Sequence, residues 1–141
     1  MKQNTDTLYT TIAGGAAASI AFLLGGLDNL VIALAIFMTV DYVTGVIAGF
    51  NDKEVSSKRA LKGLGKKGAM LSLVIISNQL DIITGNGSHF MRNSMIFFLI
   101  ATEGISIIEN LGKLGVSVPK FLSDRFEQMK NENDSGKGED Q

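Results

Sequence analysis

Apolar positions along the chain gather into four runs, at about 8–27, 30–50, 68–85 and 93–111, separated by mostly short polar stretches. Four such runs in 141 residues leave little amphipathic surface for water, so the pattern predicts an all-α fold of membrane-embedded helical hairpins rather than a soluble bundle. The first run holds no charge between Asp6 and Asp28, and its 21 residues Thr7 to Leu27 reach ~30 Å as a helix, the thickness of a bilayer core. It is also the least oily, because "IAGGAAAS" is nearly all small residues. Gly14 with Ala18, and Gly15 with Ser19, recur four apart, a spacing that suits close helix packing. The second run, "IALAIFMTVDYVTGVIAGF", the third, "GAMLSLVIISNQLDIIT", and the fourth, "NSMIFFLIATEGISIIENLG", complete four predicted spans. A three-span version lays the first run in the membrane interface.

Charge sharpens this picture. The formal net charge of −1 conceals an uneven distribution of 13 basic and 14 acidic residues. Six basic residues, Lys53, Lys58, Arg59, Lys62, Lys66 and Lys67, fall in the 51–67 segment, and five more follow from Lys113 onward. With four spans and a cytoplasmic N-terminus, twelve of the thirteen basic residues lie inside and only Arg92 outside, as the positive-inside rule demands. The 51–67 segment is therefore predicted as a basic cytoplasmic loop. The four-residue spacing of Lys58, Lys62 and Lys66 also suits a short basic helix on anionic headgroups. After Pro119, the only proline, residues 120–130 suit a short surface helix, and the charged 123–141 tail reads as largely disordered, with "NENDSGKGEDQ" nearly free of apolar residues. The membrane domain is thus 1–122.

Composition excludes several chemistries. There is no cysteine and one histidine, His89, so neither a disulfide framework nor a metal site of thiolates or clustered histidines is expected. The hydrophobic share of 45% and mean hydropathy of +0.23 are high for a soluble chain. No catalytic triad logic or phosphate-binding glycine loop occurs, so neither an enzyme nor a cofactor is expected. The basic segment lacks aromatics for base stacking, which argues against nucleic acid.

The informative residues are the acids inside the runs: Asp41, Asp81 and Glu103, with Glu109 near the end of the fourth. An ionisable group within a bilayer marks either assembly or a path for ions or water. On a helix Asp41, Gly45 and Gly49 share one stripe, and Ser77, Asp81 and Gly85 another, beside Asn78 and Gln79. Asp41, Asn78, Asp81 and Glu103 are the candidate pore-lining or intramembrane polar residues. Gly14, Ala18, Gly45 and Gly49 are the candidate packing positions. A proton-coupled transporter needs basic partners for its acids within the membrane, and the runs supply none. As a protonated acid, Asp41 is expected to donate a hydrogen bond to a backbone carbonyl or to Asn78 or Ser77 of the next span.

"DYVTG" at 41–45, "SSKRALKGLGKK" at 56–67, Asp81, and above all "EGISIIENLGKLGVSVPKFL" at 103–122 resemble the toxin-secretion/phage-lysis holin family of Gram-positive phages and clostridial loci. The resemblance covers about Leu30 to Leu122. Members often carry proline where Ser117 stands. The resemblance implies a non-enzymatic protein of the bacterial cytoplasmic membrane that homo-oligomerises and opens lesions through which an endolysin or toxin passes, without direct contact with that cargo being required. A small ion channel or transporter subunit is the main competing function; a membrane anchor using the basic segment, and a soluble bundle, come after it.

The orientation has a direct test. Single cysteines at Ser57, Ser88 and Ser135, in intact cells before lysis, are predicted to react with an impermeant thiol reagent only at Ser88. Labelling at Ser57 would invert the topology.

Overall fold

The computed structural model describes residues 2–51, 56–85 and 87–135. They form five helices: α1 (Lys2–Leu23), α2 (Asn29–Asn51), α3 (Ser57–Ile83), α4 (Phe90–Lys113) and α5 (Lys120–Ser135). The fold is all-helical. Among the described residues two helices, Asn29–Phe50 and Phe90–Lys113, are long and apolar enough to cross a membrane. α1 is diluted by its small residues and α3 by its basic first third, so these two helices fall short of that measure of length and hydropathy.

The core is a bundle of α2, α3 and α4, with α4 central. Its logic lies in the spacing of inward positions. On α2 these are Val31, Leu34, Met38 and, further along, Ala48; on α3 Met70, Val74, Ser77, Asn78 and Asp81; on α4 Arg92, Ile96, Leu99 and Glu103. Alternating steps of three and four keep one seam facing a neighbouring helix. Asp41 and Gly45 fall in the same phase on α2, as do Ser106 and Asn110 on α4. Leu34, Val74, Ile96 and Leu99 form a dry layer with polar residues at both its ends, Asp41, Lys67 and Glu103 near the midpoints of the three helices and Asp81 and Arg92 near the helix termini. The outer face of α2 is apolar and exposed at Ile32, Ile36, Val40, Val43, Ile47 and Phe50. A face of this kind suits lipid and not water.

The 51–67 segment departs from the expected loop. From Ser57 onward it is the first third of α3, continuous with the third apolar run, while Asp52 to Val55 lie outside the described residues. No proline interrupts it, and successive turns carry exposed Lys58, Lys62 and Lys66 outward while Lys67 turns inward. Arg59 shares this stretch; its side chain is outside the description. The tail departs as well. Residues 123–135, expected to be largely disordered, belong to α5, which folds back along α4 because Phe126 finds an edge-on aromatic partner in Phe37, centroids 5.7 Å apart at 81°. Residues 136–141 lie outside the description.

α5 sits deep. Phe126 packs on Gly104, nine residues before the end of α4 at Lys113, or ~14 Å along the helix axis. Asp124, Arg125, Glu127, Gln128, Asn131 and Glu132 point away from the bundle. A charged side chain at mid-bilayer costs ~2.5–3.5 kcal/mol on insertion scales, so hydrocarbon cannot cover this outer face.

α1 is held only by its C-terminal end. Its faces are exposed, and a Cβ added at Gly14 or Gly15 would meet nothing within 4 Å. Among the described residues, the small-residue stripe containing Gly14 and Ala18 therefore packs against no other helix. At the α1–α2 turn the opposite holds. Gly25 adopts φ +80°, and an added Cβ would press on the Asn78 and Arg92 side chains.

These two glycines give predictions of opposite sign. Gly25→Ala should lower stability by at least ~1–2 kcal/mol, from left-handed strain alone, whereas Gly14→Ala should be neutral or stabilising by up to ~1 kcal/mol. Thermal unfolding in detergent measures both, and equal effects would contradict the assigned turn.

Candidate functional site: two buried polar clusters in an apolar bundle

The first cluster joins all three core helices. Lys67 of α3 donates from Nζ to Asp41 Oδ2 of α2 at 2.8 Å and also to Glu103 Oε2 of α4. The Lys67, Asp41 and Glu103 side chains are only 12%, 16% and 3% exposed. Asn110 Nδ2 donates to Asp41 Oδ1 at 3.2 Å, to the Asp41 carbonyl at 3.4 Å and to Thr44 Oγ1 at 3.3 Å. A Cβ at Gly45 would come within 3.3 Å of the same amide. The "DYVTG" acid and glycine thus meet the "SIIEN" asparagine within a single chain. Beside the cluster opens a cleft of about 320 Å³, lined in part by Gly45, Gly49, Gly63, Lys66 and Lys113.

This arrangement corrects two expectations. Asp41 does not bond Ser77 or Asn78, and its acid does not lack a basic partner. Lys67 is that partner, reached because α3 begins ten residues before it, at Ser57. A buried ion pair is retained when each charge finds a counter-charge and further hydrogen bonds. Here two carboxylates share one ammonium.

The second cluster closes the other end. Arg92, 1% exposed, donates from Nε to the Leu24 carbonyl, from Nη1 to Asp28 Oδ2 at 2.7 Å and Asn93 Oδ1 at 3.0 Å, and from Nη2 to the Gly26 carbonyl at 3.3 Å. Asp28 also caps α2, accepting from Val31 N at 3.0 Å. The hydrogen bond from the Arg92 guanidinium, with the backbone donors of the α2 cap, holds the Asp28 carboxyl below the usual carboxylate range against a partial burial that would raise it. Asp81 of α3 accepts from the Met91 and Arg92 backbone N–H groups at 3.0 and 2.8 Å. It satisfies orphan donors of α4 that His89, at φ 52° with no side-chain cap, leaves open. Asn78 donates to the Leu23 carbonyl at 3.1 Å, and its buried Oδ1 has no partner among the described residues.

The structure therefore divides the four polar candidates. Asp41 and Glu103 meet at one end; Asn78 and Asp81 tie α1, α3 and α4 at the other. Sequence reasoning missed Lys67 as a counter-ion, Asn110 as its organiser and Arg92 as a buried hub. The signal was present, since continuing the α3 seam three residues back from Met70 lands on Lys67. Among the described residues no group of three or more potential metal-ligating side chains comes together.

With this geometry in hand, comparison with known proteins is informative. Residues 18–131 match the profile of the bacteriophage holin family. The chain belongs to that family. It is 35% identical over 115 residues to a protein named "Probable holin" of Bacillus phage phi105, covering 81% of this chain and 83% of the relative. It is 42% identical over 108 residues to an uncharacterized protein of Listeria monocytogenes, covering 77% and 76%, and 38% identical over 112 residues to one of Clostridium perfringens, covering 79% and 83%. No solved structure matches. Holins are in general non-enzymatic proteins that associate with the cytoplasmic membrane and oligomerise. The match spans α2, α3, α4 and most of α5, so both polar clusters lie inside the shared region.

The Lys67 cluster predicts a rescue pattern. Lys67→Met strands two buried carboxylates and should destabilise the bundle by ~3–5 kcal/mol. Adding Asp41→Asn and Glu103→Gln should restore most of that loss. Unfolding in detergent reads both, and an unchanged stability of Lys67→Met would show that the contacts carry no weight.

Proposed function

We propose that this holin assembles as a homo-oligomer in the cytoplasmic membrane and opens lesions wide enough to pass an endolysin or a toxin. The observation that carries this reading is the Asp41–Lys67–Glu103 cluster, buried in a bundle whose outer faces are apolar. In one copy the cluster satisfies itself, so the protein can accumulate without leaking. In an assembly the same residues can face water or a neighbouring copy without stranding a charge in lipid, because each is then solvated or re-paired. The exposed Gly14–Ala18 stripe of α1 supplies a face on which helices of two copies can approach closely. Four membrane spans with both termini in the cytoplasm remain part of this proposal, with α1 and α3 crossing through packing rather than hydropathy alone.

A second reading has one specific observation in its favour. A lysine held between two carboxylates is also what a small proton-coupled channel or transporter subunit would need along its path. The two differ in what passes: ions alone, or a folded protein.

Asp41→Asn keeps the hydrogen bond to Asn110 and removes one charge from Lys67. At matched membrane levels it should insert and oligomerise, yet open lesions late or not at all. Dye entry and release of a co-expressed endolysin are the measurements. Wild-type timing would remove Asp41 from the mechanism, and ion flux by the wild-type protein without endolysin release would favour the channel.

A further inference from the structure

α5 is a helix with one apolar stripe. Leu122, Phe126 and Met129 follow at steps of four and three. Leu122 and Phe126 line a groove of about 260 Å³ with Ile36, Phe37, Val40, Gly104 and Leu111 among its walls, and Met129 packs against the bundle core. The seat is built for this helix. A Cβ at Gly104 would lie 2.8 Å from three atoms of the Phe126 ring, so the ring occupies the space that only glycine leaves. Phe37 meets the same ring edge-on. The opposite side of α5 presents Asp124, Glu127, Gln128, Asn131 and Glu132 around an open, shallow depression.

Docked here, α5 lies at the depth of the α2 and α4 spans with carboxylates turned outward. Acyl chains cannot solvate those groups. The position is therefore tenable only where the outer side of α5 meets water or polar protein. We propose that docked α5 is the wall of the aqueous opening, its Glu127, Asn131 and Glu132 face lining the lumen. A copy enclosed by lipid must instead hold α5 off in the cytoplasm, leaving Ile36, Phe37, Val40 and Leu111 to acyl chains, which suit that apolar face. Docking of α5 and opening of the lesion are then two aspects of one transition. The inference rests on the lesion reading above and names the surface that becomes wet.

The chain has no cysteine, which makes the test clean. Val40→Cys with Leu122→Cys, two residues lining the same groove that leave the Phe37–Phe126 contact intact, treated in cells with a short thiol-to-thiol crosslinker, should give an intramolecular product that rises as dye entry begins and is scarce before it. Gly104→Leu in that background should remove most of the product while the protein still inserts, and should delay dye entry. A polarity-sensitive dye on Asn131→Cys, in phosphatidylglycerol and phosphatidylethanolamine vesicles made leaky by the protein, should be quenched by iodide and spared by brominated lipid. Lesions that open without crosslinking, a crosslink at full yield in tight membranes, or quenching by brominated lipid would each overturn the inference while leaving the lesion reading in place. Absence of dye entry with the unmodified protein would overturn the lesion reading, and this inference with it.

Discussion

The bundle turns on the need to give each inward charged group a partner on a neighbouring element, a counter-charge for Lys67 and Arg92 and backbone N–H donors for Asp81. Lys67 answers Asp41 and Glu103 at one end, and Arg92 answers Asp28 at the other. Between them lies an apolar middle with no polar partner to offer. α4 carries a member of each cluster, Glu103 and Arg92, and so does α3, with Lys67 and Asp81, so these two helices tie the clusters together. The spacing also fixes register, because a shift of α3 by one residue would swing Lys67 off the seam and strand both carboxylates. The polar clusters thus specify how α2, α3 and α4 align, while Leu34, Val74, Ile96 and Leu99 supply the packing that specificity alone would not.

α1 and α5 obey a different rule. Neither belongs to the three-helix core; α1 is anchored over a limited contact, whereas α5 packs along much of α4. α1 hangs from the Leu23, Leu24 and Gly26 carbonyls, which Asn78 and Arg92 grip, while its small-residue face remains bare. α5 is held by one row of apolar side chains against a face that is equally suited to lipid. Both helices therefore lie outside the polar clusters that align α2, α3 and α4, and a change in either need not dismantle that centre.

The helices were legible in the sequence because runs of apolar residues and gaps in charge survive averaging over a window. The acids at positions 41, 81 and 103 stood out for the same reason. Their partners did not, since pairing depends on phase. In the sequence Lys67 sits among Lys58, Lys62 and Lys66 as one run of basic charge, yet the helical step from Lys66 to Lys67 points it inward. The charge count that sets Arg92 apart from the other basic residues carries no sign that it is almost fully buried. The unbroken extension of α3 back to Ser57 was foreshadowed by the four-residue lysine spacing, though not the junction with the apolar run. The C-terminal helix was underestimated because composition weighs every residue alike. Three apolar residues at helical spacing, facing a glycine, outweigh a charged average.

The stoichiometry of the inner cluster carries one more consequence. Two carboxylates against one ammonium means that pulling α3 away from α2 and α4 exposes one more acid than base, in a place where neither can be left in hydrocarbon. Separation along that seam is therefore forbidden in a dry bilayer and permitted once water reaches Asp41. The cost of parting α3 from α2 and α4 in a dry medium, and its relief when water reaches the same groups, follow from the placement of these three side chains.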